Sequence, residues 1–185
     1  MDSRKLYANG AEWYRHLRPG TYGYILPEKL IVKGISTRSV VGRLAERSIF
    51  NGANCPGIIL NDDSQQTADY LLGLLNSRVV SFYLRAICPP KLGGYSRFNA
   101  RSIASTPVLA MGNEAVAEQV ARVATAARCL VSLADKAKSA RLSGDRERLR
   151  RSASATERQL NQAVYELYGL TDDEIALVES SFEKE

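Results

Sequence analysis

Residues 69–98 read DYLLGLLNSRVVSFYLRAICPPKLGGYSRF and join an apolar, helix-like run to a loop rich in proline and glycine. Leucine, valine and aromatic side chains cover more than half of the circumference of the predicted helix, so most of it belongs inside a core. The loop after Pro90 carries two cations and two aromatic residues: Lys91, Tyr95, Arg97 and Phe98. This stretch therefore predicts a buried anchor that presents a basic, aromatic tip.

The helix of this stretch is expected to run from about Thr67 to Ala86 and to stop before Pro89, which cannot continue it. Asn76 and Ser77 lie in its middle and are poor helix formers. Their side chains should therefore hydrogen-bond to the neighbouring backbone or to a second structural element.

The loop itself has a composition suited to a polyanion. Gly93 and Gly94 permit backbone conformations and close approaches that other residues forbid. Arginine can bind guanine through two parallel hydrogen bonds, and tyrosine can stack on a base or contact a phosphate. The alternative is a structural loop whose aromatic residues pack inward, and for Phe98 the packed position is the expectation. For Lys91 and Arg97 a contact to nucleic acid is preferred.

A small, mostly antiparallel sheet is predicted before the helix. Short β-branched runs alternate there with turn-forming Asn, Gly and Pro residues, at Leu30–Ile35, Val40–Val41, Ser48–Phe50 and Gly57–Leu60. Three cations along this region are either secondary contacts to a polyanion or ordinary solvent-facing charges: Lys33, Arg38 and Arg43. Trp13 and Tyr14, further upstream, are expected to pack under the sheet.

The second part of the chain predicts a long antiparallel helical hairpin. Apolar residues recur at spacings of three and four over residues 113–140 and again over Arg146–Tyr168, with a break at Leu142–Asp145. Such helices extend roughly 40 Å, which is more than a small domain needs and is typical of a spacer or a docking arm. The arginines near the bend either grip DNA or an acidic partner or are simply solvated: Arg141, Arg146, Arg148, Arg150 and Arg151.

Gly169 and the Thr171-x-x-Glu174 pattern predict a helix end and then a capping box that starts a short final helix, up to about Phe182. The predicted fold class is therefore α+β: a small sheet with a packed apolar helix, then the hairpin and the short helix. Residues 1–112 are expected to form the α/β domain, and residues 113–185 the helical part.

Composition narrows the class of partner. The 185 residues carry a net charge of +5, but residues 171–185 hold six acids and one lysine, so the remainder carries +10. A basic body of this kind fits a polyanion. Three scattered cysteines and one histidine cannot build a disulfide framework or a zinc cluster, and no apolar run is long enough to span a membrane. These features predict a cytoplasmic protein with reduced thiols.

Catalytic motifs are missing from the sequence. It has no Walker-type phosphate loop, no Gly-x-Ser-x-Gly elbow and no metal-binding pair of histidines. Pro89-Pro90 is preceded by Cys88 and followed by Lys91, so it differs from the Asn-Pro-Pro-Tyr type motif of amino-methyltransferases. We therefore assign no catalytic and no metal-binding residue.

The order of these features resembles one family of DNA-recognition domains. The signals are, in order, Trp13-Tyr14, Lys29–Val32, Gly57–Leu60, Tyr70–Ser77, Phe82–Leu84 and Gly93–Phe98. They look like the TaqI-like C-terminal specificity domain, the target-recognition part of type IIG restriction-modification enzymes and related adenine-specific DNA methyltransferases. Residues Leu160–Glu179 are similar to the end of those proteins, so the resemblance spans about residues 12–180.

The resemblance implies a mixed α/β domain that binds the DNA major groove beside an S-adenosylmethionine-dependent methyltransferase, which flips adenine out of the duplex. Because this chain lacks the cofactor-binding and catalytic motifs, it is expected to be a C-terminal fragment or a detached subunit without activity of its own. Its partners would be double-stranded DNA and a methyltransferase, with or without a nuclease.

Six residues are expected to contact DNA: Lys91, Tyr95 and Arg97 nearest to it, and Lys33, Arg38 and Arg43 as secondary contacts. The alternative function is a helical docking module that joins a larger DNA-modifying complex without reading sequence.

Overall fold

The computed structural model describes residues 28–48, 50, 54–61 and 64–183. The predictions for Trp13 and Tyr14, and the part of the resemblance carried by them, lie outside the described residues. Within these ranges no helix is long and apolar enough to cross a membrane.

The strands pair antiparallel, as predicted, but their bounds differ: the predicted strand Gly57–Leu60 has two residues, Val40–Val41 is extended to four, and residues 48 and 50 lie in no strand. Strands β1 (Lys29–Val32), β3 (Val41–Leu44) and β4 (Gly57–Ile58) pair in the order β3-β1-β4, while β2 (Ile35–Ser36) pairs with β5 (Ser96–Arg97). The predicted continuous strand Leu30–Ile35 is wrong, because the chain bends at Gly34. A Cβ at Gly34 would lie 1.6 Å from the carbonyl oxygen of Asn54, so only glycine admits this crossing.

Two helices replace the single predicted one. Helix α1 runs over Gln65–Asn76 and α2 over Arg78–Ile87, and Ser77 between them is extended, with ψ of 158°. The Ser77 hydroxyl accepts a hydrogen bond from the Val80 N–H and so caps α2. Ser64, in the polar segment before α1, caps that helix in the same way through the Thr67 N–H. The apolar period alone did not reveal the break, because apolar residues continue in the sequence on both sides of Asn76 and Ser77.

Asn76 joins α1 to the sheet. Its side-chain oxygen accepts from the Val41 N–H at 3.0 Å, and its amide nitrogen donates to the Val41 carbonyl at 3.0 Å and to the Leu72 carbonyl at 2.8 Å. One side chain thereby satisfies both backbone groups of Val41, as a neighbouring strand would. The prediction that Asn76 and Ser77 hydrogen-bond to specific partners is confirmed.

Replacing Asn76 by aspartate should destabilise the fold by about 2 kcal/mol, because a carboxylate oxygen would face two carbonyl oxygens where the amide now donates. Urea denaturation monitored by circular dichroism measures the change. Asn113→Asp is the matched control: the Asn113 oxygen only accepts, from the Ala115 N–H in an exposed turn, and aspartate accepts equally well. Equal stabilities of the two variants would contradict the role of Asn76.

The C-terminal part contains the predicted hairpin. After the five-residue helix α3 (Ala100–Ala104), helices α4 (Ala117–Ser139) and α5 (Ser143–Tyr168) are joined by three residues. Arg122 near the start of α4 pairs with Glu166 near the end of α5, so the two helices are antiparallel. The predicted start of the second helix at Arg146 is wrong by three residues, because Ser143, Gly144 and Asp145 form its first turn.

The end of the chain follows the predicted helix signals. Gly169 ends α5 in the left-handed conformation, with φ of 64°, and the Thr171/Glu174 capping box starts α6 (Asp172–Ser180). Hydrogen bonds from Thr171 to the carboxylate hold the pKa of Glu174 below its usual value. Helix α6 lies against α2, where Arg78 pairs with Glu179 and the guanidinium of Arg85 lies over the Phe182 ring. Both predicted signals are confirmed.

One hydrophobic core holds these elements together. It contains residues of the sheet, of α1 and α2, and of the hairpin. Examples that are fully buried are Val32, Leu74, Leu84, Val123 and Val164. Helix α1 lies at its centre and contacts both the sheet and α4. The predicted fold class, α+β, is confirmed. The division at residue 112 stays a prediction, and the core contains residues from both sides of it.

Three tyrosines hydrogen-bond to the segment that connects α3 to the hairpin. The hydroxyls of Tyr70, Tyr83 and Tyr168 donate to the carbonyl oxygens of Leu109, Ser105 and Pro107. Burial, with a smaller effect of the nearby Tyr70, raises the pKa of Tyr168 to about 12. The Tyr168 hydroxyl therefore remains a protonated donor throughout the physiological pH range.

Candidate nucleic-acid interface

The segment Pro89–Arg97, called here the Gly-Gly loop, is closed by backbone hydrogen bonds. The Arg97 N–H donates to the Pro89 carbonyl at 2.9 Å, and the Lys91 N–H donates to the Tyr95 carbonyl at 2.7 Å. Gly93 and Gly94 make the turn with φ of 76° and 77°, in the left-handed region that glycine adopts without strain. The glycine pair therefore does what its composition predicted, and the loop has a defined backbone.

The base of the loop is anchored in the core. Strand β5 pairs with β2, and the Phe98 N–H donates to the Gly34 carbonyl at 2.8 Å. Phe98 is 1 % exposed and belongs to the hydrophobic cluster, as does Cys88 on the other side of the loop. The prediction that Phe98 packs inward is confirmed. The loop thus stands on a buried base, which limits the freedom that its tip would lose on binding.

Lys91 and Arg97 meet at one pocket. A recess of about 350 Å³ is lined by both residues together with residues of the β2 region and the start of α3, including Gly34, Ile35 and Asn99. Both cations are exposed, and within the described part of the chain neither has a hydrogen bond or an ion pair from its side chain. Two such cations beside a recess whose described lining residues include no carboxylate form a site for an anion or a hydrogen-bond acceptor.

Tyr95 stands on the same loop and is 44 % exposed, so its ring is available for stacking or for a phosphate contact. The structure therefore brings together Lys91, Tyr95 and Arg97, the residues expected nearest to DNA.

The other predicted contacts lie elsewhere and are differently engaged. Arg38 pairs with Glu157 of α5 at 3.1 Å, while Arg43 pairs with the buried Asp69 at 2.7 Å and with Glu28 at 3.1 Å. Both arginines line a separate cleft of about 640 Å³ between β3 and the hairpin. Neither arginine lines the recess of Lys91 and Arg97.

Lys33 is exposed between β1 and β2, and its side chain has no partner among the described residues. Whether Lys33, Arg38 and Arg43 contact DNA stays a prediction.

Three exposed residues near the loop were not among the site residues predicted from the sequence. Leu92 is 97 % exposed at the tip, Ile35 is 51 % exposed on the strand beside Arg97, and Arg101 is exposed in the first turn of α3. Leu92 could have been noticed because it is an apolar residue within a run of turn formers. The exposure of Ile35 could not have been noticed, since it depends on the pairing of β2 with a strand 62 residues further along the chain.

Comparison with known proteins gives the family. The family model described as the TaqI-like C-terminal specificity domain matches residues 2–108, which include the sheet, α1, α2, the Gly-Gly loop and α3. The resemblance noted for residues 160–179 lies outside that match. No curated protein matches the chain. A specificity domain recognises DNA for a restriction-modification enzyme and is not itself the catalytic part. Because the match covers more than half of the chain, this protein belongs to the TaqI-like C-terminal specificity domain family.

Proposed function

We propose that this chain is the sequence-reading part of an adenine-specific DNA methyltransferase in a restriction-modification system of type IIG. It would work as the C-terminal region of a longer protein or as a separate subunit beside a catalytic chain, in the cytoplasm, with or without a nuclease. The observation that carries the proposal is the pair of unpaired cations, Lys91 and Arg97, which lie beside one recess on a hydrogen-bonded loop in a family of specificity domains.

Each group of the loop is given one task. Arg97, held at its backbone by the pairing with β2, presents two parallel donors that suit guanine in the major groove. Lys91 and Tyr95 contact phosphates, or Tyr95 stacks on a base. Leu92, fully exposed at the tip, is suited to the methyl group of thymine. Base choice then rests on a few side chains of a loop whose backbone is already ordered.

Residues outside the loop supply affinity for DNA rather than base preference. Lys33 and Arg38 remain secondary phosphate contacts in this proposal, because Lys33 is unpaired and Arg38 shares only one exposed carboxylate. Arg43 is assigned a structural task instead, since two carboxylates already surround it. Such phosphate contacts make binding strongly dependent on salt and blind to sequence.

Methyl transfer is assigned to the catalytic part, where S-adenosylmethionine would supply the methyl group. The recess beside Lys91 and Arg97 does not fit that cofactor: its described lining residues include two cations and no carboxylate that could accept from ribose hydroxyls or face the cationic sulfur. The task of this chain is to bind and orient the duplex so that the target adenine meets the catalytic part.

Replacing Arg97 by alanine should relax the base preference at one position of the target by roughly 1–3 kcal/mol, while total affinity for duplex DNA falls much less. Selection from a pool of duplexes with randomised sequence, followed by binding titrations on the selected site, measures both quantities. Lys91→Ala should instead weaken binding to all sequences and lower the salt slope by about 1.

The matched control is Arg122→Ala, which removes an exposed arginine that is paired with Glu166 on the hairpin. It should leave base preference unchanged. An identical selected site for the Arg97→Ala and unmodified chains would remove Arg97 from the reading role. Failure of the unmodified chain, alone and with its catalytic partner, to select any site would refute the function.

A second candidate is a docking module that assembles with the catalytic chain without reading sequence. The observation in its favour is the long hairpin of α4 and α5, which extends past the last buried residues of both helices. A chain that captures a methyltransferase but selects no DNA site would support this candidate over the first.

A further inference from the structure

The outer part of the hairpin contributes no fully buried side chain. The last buried residue of α4 is Ala127, and the first of α5 is Leu160. The seventeen residues of α5 before Leu160 therefore extend about 25 Å with only partial burial. The fold does not need this length to complete its core. Apart from the exposed ion pair of Glu157 with Arg38, the outer hairpin is therefore available for another task.

Positive charge is concentrated at the end of this extension. Residues 135–151, called here the basic tip, contain seven lysines and arginines and three carboxylates, so the tip carries +4 of the total net charge of +5. Two of the carboxylates are already paired, Asp135 with Lys138 and Glu147 with Arg151. The third, Asp145, lies in the first turn of α5, where it faces the positive end of the helix dipole.

Three arginines of the tip are left without a counterion. Arg141, Arg148 and Arg150 are exposed, and in the part of the chain that the structure describes their side chains have no hydrogen bond and no ion pair. Arg146 and Arg150 are four residues apart on one helix, a spacing at which like charges repel by a few tenths of a kcal/mol. The arrangement opposes the stability of the hairpin, and an anionic partner would remove the repulsion.

We infer that the basic tip binds the phosphate backbone of the duplex, outside the base pairs contacted by the Gly-Gly loop. The inference rests on the proposed function, which brings DNA to this chain. Forked guanidinium groups suit phosphate oxygens, and the tip holds five arginines. An arm of about 25 Å reaches as far as about seven base pairs of B-DNA, so the tip lengthens the binding site without adding base preference.

The test is a triple variant in which Arg141, Arg148 and Arg150 are each replaced by glutamine, which keeps helix propensity. On a duplex of about three helical turns around the selected site, the affinity of the variant should fall at least tenfold at low salt. The slope of log affinity against log salt should become smaller by about 2 to 3, since each phosphate contact contributes about 0.9. Base preference should stay unchanged, and the hydroxyl-radical footprint should become shorter on one side.

Two controls keep the result specific. Arg151→Gln removes a tip arginine that is already paired with Glu147, so it should change affinity far less than any unpaired arginine. A duplex trimmed to the selected base pairs should bind the triple variant and the unmodified chain equally. Helix content and the thermal midpoint of the triple variant should match those of the unmodified chain, which excludes loss of the hairpin as the cause.

Other results would overturn the inference. Unchanged affinity, salt slope and footprint, with base preference intact, would mean that the loop reads DNA and the tip does not touch it. Unchanged DNA binding together with lost capture of the catalytic chain would assign the tip to an acidic protein surface. If the unmodified chain bound no duplex at all, the proposed function would fail, and the inference with it.

Discussion

Replacing Asp69 by alanine should lower the free energy of unfolding by about 3 kcal/mol. Asp69 lies in α1 and is 2 % exposed, and its two carboxylate oxygens pair with Arg43 of β3 at 2.7 Å and with Arg128 of α4 at 2.9 Å. One buried carboxylate thus joins the sheet, the central helix and the hairpin. Its removal leaves the Arg43 side chain, which is 23 % exposed, with only the partly exposed Glu28 as a carboxylate partner, and removing one partner of a largely buried ion pair costs about 3 kcal/mol.

The expected loss is smaller than for a fully buried triad because the Arg128 side chain is 61 % exposed and water can solvate it. Chemical denaturation of the purified chain measures the change. Asp135→Ala is the matched control, since it removes an exposed aspartate paired only with Lys138 and should cost less than about 0.5 kcal/mol. A loss for Asp69→Ala no greater than that of the control would show that the cluster does not join the three elements.

Features set by neighbouring residues were predictable from the sequence. The capping box of Thr171 and Glu174, the left-handed Gly169 and the Gly93-Gly94 turn were each confirmed, because a cap or a tight turn depends on residues at most four positions apart. The helical hairpin was predicted for the same reason, from an apolar period repeated over many turns.

Features that depend on residues far apart in the chain were not predictable from the sequence. The ion pairs of Asp69 join residues 26 and 59 positions away, and no spacing rule points to them. Without them, Arg43 resembled any other cation of a basic domain. The exposure of Ile35 likewise depends on which strand pairs with it. The break at Ser77 is local, but it was missed because its cap lies inside an apolar run. The loop residues were identified by composition, but only the structure shows Lys91 and Arg97 at one recess.

Helix α1 connects the two surfaces proposed to bind DNA, the Gly-Gly loop and the basic tip. Its end leads through Ser77 and α2 to the Gly-Gly loop, and its side packs on α4, which carries the basic tip. A loop and an arm that bind one duplex must keep a fixed relative position, or the gain from binding at two places is reduced. The contact between α1 and α4 should therefore be intolerant of added volume.

Replacing Gly73 by leucine should destabilise the fold by more than about 3 kcal/mol. A Cβ at Gly73 would lie 2.9 Å from the Val123 side chain, 3.0 Å from the Val123 carbonyl oxygen and 3.1 Å from the Ala127 Cβ. Both partners belong to α4 and are buried, so neither has room to move aside. Overpacking of a core by a few atoms costs about 1–3 kcal/mol, and leucine adds more atoms than that.

The smaller variant Gly73→Ala separates packing from helix propensity. Alanine is better than glycine in a helix by about 1 kcal/mol, so a gain is expected unless the helices touch at this point. Because a single Cβ already meets the backbone of α4, we expect a net loss of about 1 kcal/mol instead. Gly144 lies in the first turn of α5, and a Cβ there has nothing within 4 Å. Gly144→Ala should therefore raise the free energy of unfolding by about 0.5–1 kcal/mol, which is the gain that close packing prevents at Gly73. Urea denaturation measures the free energy of unfolding of the three variants. An equal gain for Gly73→Ala and Gly144→Ala would show that α1 and α4 are not in close contact. The fixed spacing between loop and arm would then lose its structural basis.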